Sequence, residues 1–256
     1  MKIKYILVLI ILISNAKDIN SQKVQGTINY ITYKKNINSV EQENKTSKSF
    51  KLFDNEIKKE IKKLRLILNF SEKKSSFTCI EPLHINSEEK RKFFVAKILQ
   101  EVYSNFYTQG EYSIIEKDLG GELFLIKKKI NLDDWELINE TQKIQNYTCY
   151  KAIRFFDFMH RGIKKTRKQI VWYSIDLPIY YGPKDFVGFP GLVLKVEDGN
   201  LIYEANKIIL NPKEIVKIKE PSKKGKEISQ KEYDKILEKS SITIRREINK
   251  RKKTEQ

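Results

Sequence analysis

Tyr181-Gly182-Pro183-Lys184-Asp185-Phe186-Val187-Gly188-Phe189-Pro190-Gly191-Leu192-Val193-Leu194 is the stretch from which the fold is read. It sets the backbone-special residues Gly182, Pro183, Gly188, Pro190 and Gly191 among aromatic and aliphatic side chains. Pro190-Gly191 fits a type II turn, with proline presetting φ at the first corner and glycine accepting positive φ at the second. Beyond the turn, Leu192, Leu194 and Val196 alternate with Val193, Lys195 and Glu197, the period of a half-buried strand. Asp198-Gly199-Asn200 turns the chain, and Leu201 to Ala205 returns, which is a hairpin signal. The stretch holds no histidine, no obvious nucleophile and no metal-ligand set.

Working outward, alternation predicts strands over Gln25–Tyr33, Ser49–Phe53, Ile61–Phe70, Ser76–Ile80, Glu111–Ile115 and Gly121–Ile130. Two more are expected over Asn146–Phe158 and Arg167–Ile175, joined by a basic loop from Met159 to Lys165. Asn36 to Lys48 reads as a polar loop. Asn86 with Glu89 resembles a capping box and opens a helix to Asn105, with Phe94, Val95, Ile98, Leu99 and Val102 as its apolar stripe. Ser229 and Glu232 form a second capping box, and Tyr233, Ile236 and Leu237 give the following helix an apolar side. The fold class expected is predominantly β (α+β): a curved antiparallel sheet or half-barrel of hairpins with two or three helices, including a C-terminal helix.

The leader is Met1-Lys2-Ile3-Lys4, an apolar run from Tyr5 to Ile13, and small residues at Ser14-Asn15-Ala16. This is the layout of a signal peptide over residues 1–21, cleaved after Ala16 or Ser21. Its apolar run falls short of the roughly 20 residues that cross a bilayer, and no other run approaches that length. A single β domain over residues 22–220 and a basic C-terminal helix and tail over 221–256 complete the division. The compartment expected is exported: periplasmic, outer-membrane-associated or secreted.

The chain has 256 residues with 50 lysines and arginines against 33 acidic residues, a formal charge of +17. That excess attracts anionic surfaces without specifying one. From Lys207 onward there are sixteen basic and eight acidic residues, ending in the run Arg245 to Lys253. Cys79 and Cys149 are the two cysteines. In an oxidising compartment they can pair, or they are two buried thiols; their spacing matches no zinc or redox motif. Asp133-Asp134 sits at a turn, where neighbouring carboxylates diverge.

These residues resemble a known family. Trp135-Glu136-Leu137-Ile138-Asn139-Glu140-Thr141-Gln142-Lys143-Ile144-Gln145-Asn146-Tyr147-Thr148-Cys149-Tyr150-Lys151-Ala152, Trp172-Tyr173-Ser174-Ile175-Asp176-Leu177-Pro178 and the opening stretch are similar to the motifs of the GLPGLI family of Bacteroidetes. Gln142 is a one-residue insertion, Asn146 stands where glycine is usual, and Phe189 and Val193 replace leucine and isoleucine. The resemblance implies export. It carries over no catalytic residue, cofactor or metal.

The residues themselves support three readings. In the first, an exported envelope protein without evident catalytic machinery binds a partner protein or an apolar ligand through rim aromatics Tyr180, Tyr181, Phe186 and Phe189. In the second, a hydrolytic enzyme uses carboxylates; the two histidines, His84 and His160, have no motif partner. In the third, the basic C-terminal helix binds a polyanion or a membrane surface. No nucleic-acid module is recognisable, and export disfavours that partner. No cofactor, metal or catalytic residue is assigned.

Overall fold

The structure, a computed structural model, describes residues 24–35, 48–83, 85–160 and 163–239. The expected leader, the 36–47 loop, His84, the Arg161–Gly162 tip and the basic tail from 240 lie outside the described residues.

Alternating burial makes β1 (Gly26–Lys34) a strand, with Ile28, Tyr30 and Thr32 facing in. The chain continues through α1 (Lys48–Lys63), β2 (Arg65–Ser71), β3 (Lys74–Ile80), α2 (Ser87–Leu99), β4 (Asn105–Gln109), β5 (Tyr112–Leu119) and β6 (Glu122–Lys129). Then come β7 (Glu136–Ile144), β8 (Tyr147–His160), β9 (Ile163–Ser174), β10 (Leu192–Asp198), β11 (Leu201–Leu210), β12 (Lys226–Ile228) and a C-terminal helix α3 over 230–239. The strands form one sheet in the order β12-β6-β5-β4-β3-β2-β1-β11-β10-β9-β8-β7. Its pairings are antiparallel except for the parallel pair β12–β6.

The order of strands forces the sheet to curl. β6 and β7 stand ten places apart in it, about 48 Å if the sheet were flat. Yet only residues 130–135 join them, a link that reaches at most about 25 Å. The sheet is therefore an open half-barrel, and its two ends share one core. Leu66, Leu68, Phe70, Phe77 and Ile126 from one end pack in the same cluster as Ala152, Val171, Leu192 and Leu194 from the other.

A strap over residues 211–222 runs across the opposite, outer face. Gln25 Nε2 donates to the carbonyls of Pro212 and Glu214, and Asn69 Nδ2 to that of Lys217. The Lys219 amide donates to Ser76 Oγ, and the Ser222 amide to Glu116 Oε2. The strap delivers β12 to the edge of β6, and Ile228 and Tyr233 join the core. Ser229 and Glu232 cap α3 reciprocally, as their spacing predicts.

Several expectations need correction. Ser49–Phe53 and Ile61–Lys63 belong to helix α1, not to strands. Ile57 is buried and Ile61 partly so, one helical turn apart, and Lys58 and Lys59 between them face solvent. α2 has its capping box at Asn86 and Glu89 but ends at Leu99, and Asn105 opens β4. It buries Phe93 and Ala96 and leaves Phe94, Ile98 and Leu99 exposed. The Met159–Lys165 loop is shorter than expected, since β8 runs to His160 and β9 starts at Ile163.

The Pro190-Gly191 corner is not built on positive φ. The left-handed residues of the loop are Lys184 (φ 56°) and Gly188 (φ 90°). Gly191 is glycine for space: a Cβ there would lie 2.0 Å from the Ser174 carbonyl oxygen. At Gly182 a Cβ would lie 2.3 Å from the Phe186 carbonyl. The glycines thus let the loop lie flat on β9 and β10. The loop is pinned there by Val193 N–H donating to Tyr181 O (3.0 Å) and Leu192 N–H to Leu177 O (2.9 Å).

Candidate functional site

Two features of β8 and β9 stand out, and both grow from strand register. β7 reaches only to the pair Glu136↔Ile153, and β10 only to Asp198↔Gln169. Arg154 to His160 and Ile163 to Lys168 therefore pair with no third strand, although the Gly199 turn amide donates to Lys168 O. They form a two-stranded ribbon that overhangs the sheet by roughly 20 Å. Its backbone edges lack sheet neighbours, and Phe155 and Ile163 are 65% and 62% exposed. Phe156 stacks on Phe158 with centroids 6.3 Å apart, and Lys168 lies 6.0 Å from the Phe155 ring. Among its described residues the ribbon carries Arg154, Lys164, Lys165, Arg167 and Lys168 against the single acid Asp157.

At the base of the ribbon, the inner face turns polar. Arg154 (β8) pairs in register with Gln169 (β9), and Gln169 with Asp198 (β10). Arg154 Nε donates to Gln169 Oε1 (2.6 Å), and Gln169 Nε2 donates to Asp198 Oδ1 (2.8 Å). Asp198 and Glu101 are then bridged by two cations. Lys184 Nζ is 3.3 Å from Asp198 and 3.5 Å from Glu101, and Arg167 is 3.4 Å and 3.0 Å from the same pair. Lys184 is buried, which by itself favours its neutral form. The Tyr203 hydroxyl and the carboxylates of Asp198, Glu101 and Asp185 outweigh that and hold it charged, above its ordinary pKa. Next to it, Asp185 pairs with Lys128 of β6, so the loop ties the two ends of the half-barrel together. Burial would raise the Asp185 carboxyl, but Lys128, Lys184 and Arg154 hold it down at about 2.

The aromatic residues divide. Phe186 and Phe189 are 3% and 1% exposed. They pack edge-on against Trp135 of the β6–β7 link, with centroids 6.2 and 5.0 Å away. Buried in the shared cluster against Trp135, they plug the core between the loop and the β6–β7 link. Tyr181 is half-buried against Phe70, and Tyr180 alone of the four is exposed. Cys79 and Cys149 are free and buried on β3 and β8, so no disulfide joins them. Burial pushes each thiol up to about 11.

Lys117 also departs from a plain surface lysine. Burial pulls its pKa below the usual value, and its ammonium lies 5.2 Å from the Tyr233 ring and 6.0 Å from that of Tyr103. Two small clefts lie elsewhere. One, of roughly 90 Å³, is lined by Glu60, Lys63, Pro82, Ile85, Glu89 and Phe93; the other, of about 10 Å³, sits under the strap beside Phe106 and Pro221. Among the described residues no group of three His, Cys, Asp or Glu side chains is placed to hold a metal. No helix among them is long and apolar enough to cross a membrane.

A family described as "Protein of unknown function (Porph_ging)" matches residues 157–195, which run from the ribbon through β9 and the buried loop into β10. No curated protein matches the chain. Among solved structures the chain is similar to PNGF-II in its P21 and C2 crystal forms. Identity is 16% in both, over 86% and 85% of this chain, with TM-scores of 0.47 and 0.45. The chain spans about a third of the length of those proteins, 34% and 33%.

Proposed function

We propose that this chain is an exported envelope protein of the GLPGLI type of Bacteroidetes. It would act as a binding protein rather than an enzyme, holding a partner protein through the β8–β9 ribbon. The observation that carries this reading is the overhang itself. A ribbon with unpaired backbone edges and exposed Phe155 and Ile163 is costly to leave bare in a monomer and suits strand addition by a partner. The occupant is an extended acidic segment of another protein. The ribbon holds five cations against one acid among its described residues, and a second copy of a chain with net charge +17 would be repelled. The carboxylates at its base support binding over hydrolysis, since Glu101, Asp185 and Asp198 each face a cation at ion-pair distance.

The test uses a synthetic ten-residue peptide alternating Glu with Val and Phe, and a Lys-for-Glu counterpart. The acidic peptide is expected to bind saturably, and more weakly as salt rises. The F155S/I163S variant should keep the wild-type melting temperature and lose the peptide. Equal binding of both peptides, or unchanged binding by the variant, overturns the reading. Cell fractionation tests export, and retention in the cytoplasm with the leader intact refutes that part.

A further inference from the structure

We infer that Arg154, with Trp135 and Phe156, forms a site for the planar carboxylate of a small aromatic or apolar acid at the inner base of the ribbon. This inference does not depend on the partner docking proposed above. Around Asp185 and Asp198 the inner-face charges are settled by ion pairs. Lys128 meets Asp185, while Lys184 and Arg167 share Glu101 and Asp198. Arg154 lies outside that balance. Among the described residues no carboxylate comes within ion-pair distance of it, and its one hydrogen bond is from Nε to Gln169. Its two terminal nitrogens, with four N–H donors, have no protein acceptor among those residues.

The surroundings fit a ligand better than bulk water. The guanidinium carbon lies 4.6 Å from the centre of the Trp135 ring and 5.6 Å from that of Phe156. Such faces hold the guanidinium plane and offer apolar surface to whatever lies alongside it. Gln169, 6% exposed, fixes the Nε edge and is itself held by Asp198. The planar fork that remains matches the two oxygens of a carboxylate. Burial lowers the Arg154 pKa, and Asp185, Asp134 and Asp198 face it from farther away and partly restore it. These acids make the site selective for a single weak charge over a dense polyanion.

The probe is benzoate, with benzamide as its uncharged match and inorganic phosphate as the non-planar anion. In a titration followed by NMR, benzoate should saturate one site and shift the indole N–H of Trp135, leaving that of buried Trp172 in place. Benzamide and phosphate should each bind at least tenfold more weakly. Arg154→Lys keeps the charge and loses the fork, and should weaken benzoate at least tenfold with its melting temperature unchanged. A linear, unsaturating response overturns the proposal, as do phosphate binding as tightly as benzoate and a shift at Trp172 instead of Trp135. The wild-type titration decides the matter even if Arg154→Lys fails to fold.

Discussion

The ammonium of Lys184 lies 3.3 Å from the carboxylate of Asp198, with the two side chains only 9% and 3% exposed. One residue comes from a loop and the other from the last position of strand β10. Removing Lys184 leaves a buried acid held by Arg167 and Gln169 alone. Lys184→Met should cost about 3 kcal/mol in denaturant unfolding. Lys184→Met with Asp198→Asn should cost less than the sum of the two single changes. Strict additivity would mean that the pair does not interact.

Asp185 supplies a pH dependence. Its carboxyl titrates at about 2 in the folded chain, against roughly 3.9 when unfolded. A depressed folded value favours the native state above the unfolded pKa. That contribution, on the order of 2 kcal/mol, is lost as pH falls from about 4 through 2. The stability gap between wild type and Asp185→Asn should therefore shrink across that window. A gap that stays constant from pH 5 to 2 contradicts this assignment.

The two thiols should count as two. Native protein purified without reductant should react slowly with a thiol reagent at pH 8, because burial holds Cys79 and Cys149 at about 11. Both should react once denaturant is added. Absence of thiols in the unfolded chain would reveal a disulfide.

Gly191 should tolerate no side chain. A Cβ 2.0 Å from the Ser174 carbonyl oxygen must displace backbone on both sides of the β9–β10 junction. Gly191→Ala is expected to cost about 3 kcal/mol, read as a lowered unfolding midpoint. A neutral substitution would mean that the loop does not lie against β9.

The loop aromatics should separate by burial. Phe189→Ala should lose about 3 to 5 kcal/mol of stability, and Tyr180→Ala, at a 58% exposed position, about 0.5 kcal/mol or less. Similar effects at the two positions would contradict their placement.

The β character, the Asp198–Leu201 hairpin and both capping boxes were legible because each is a local rule satisfied within a few residues. α1 was not, because Phe50 and Leu52 alternate like a strand, and the helical spacing of Ile57 and Ile61 emerges only against the sheet. β12 is three residues long and exists only because the strap carries it to β6. The polar network was invisible for another reason: Glu101 and Arg167 are 66 residues apart, and Glu101 and Lys184 are 83 apart. One signal was available. Lys184-Asp185 interrupts an otherwise apolar loop, and charges in such a setting need partners. The aromatics of that loop looked like a binding rim because sequence does not reveal which gap a curled sheet must fill.

The link over residues 130–135 has a consequence for the proposed site as well as for shape. Because it ties opposite ends of one sheet, its length acts as a drawstring on the opening where Trp135 and Arg154 meet. Residues inserted between Asn131 and Asp134 would let that opening widen without altering a single side chain that lines it. A longer link at this surface turn would thus admit a bulkier acid at the proposed site, while the core beneath stays the same.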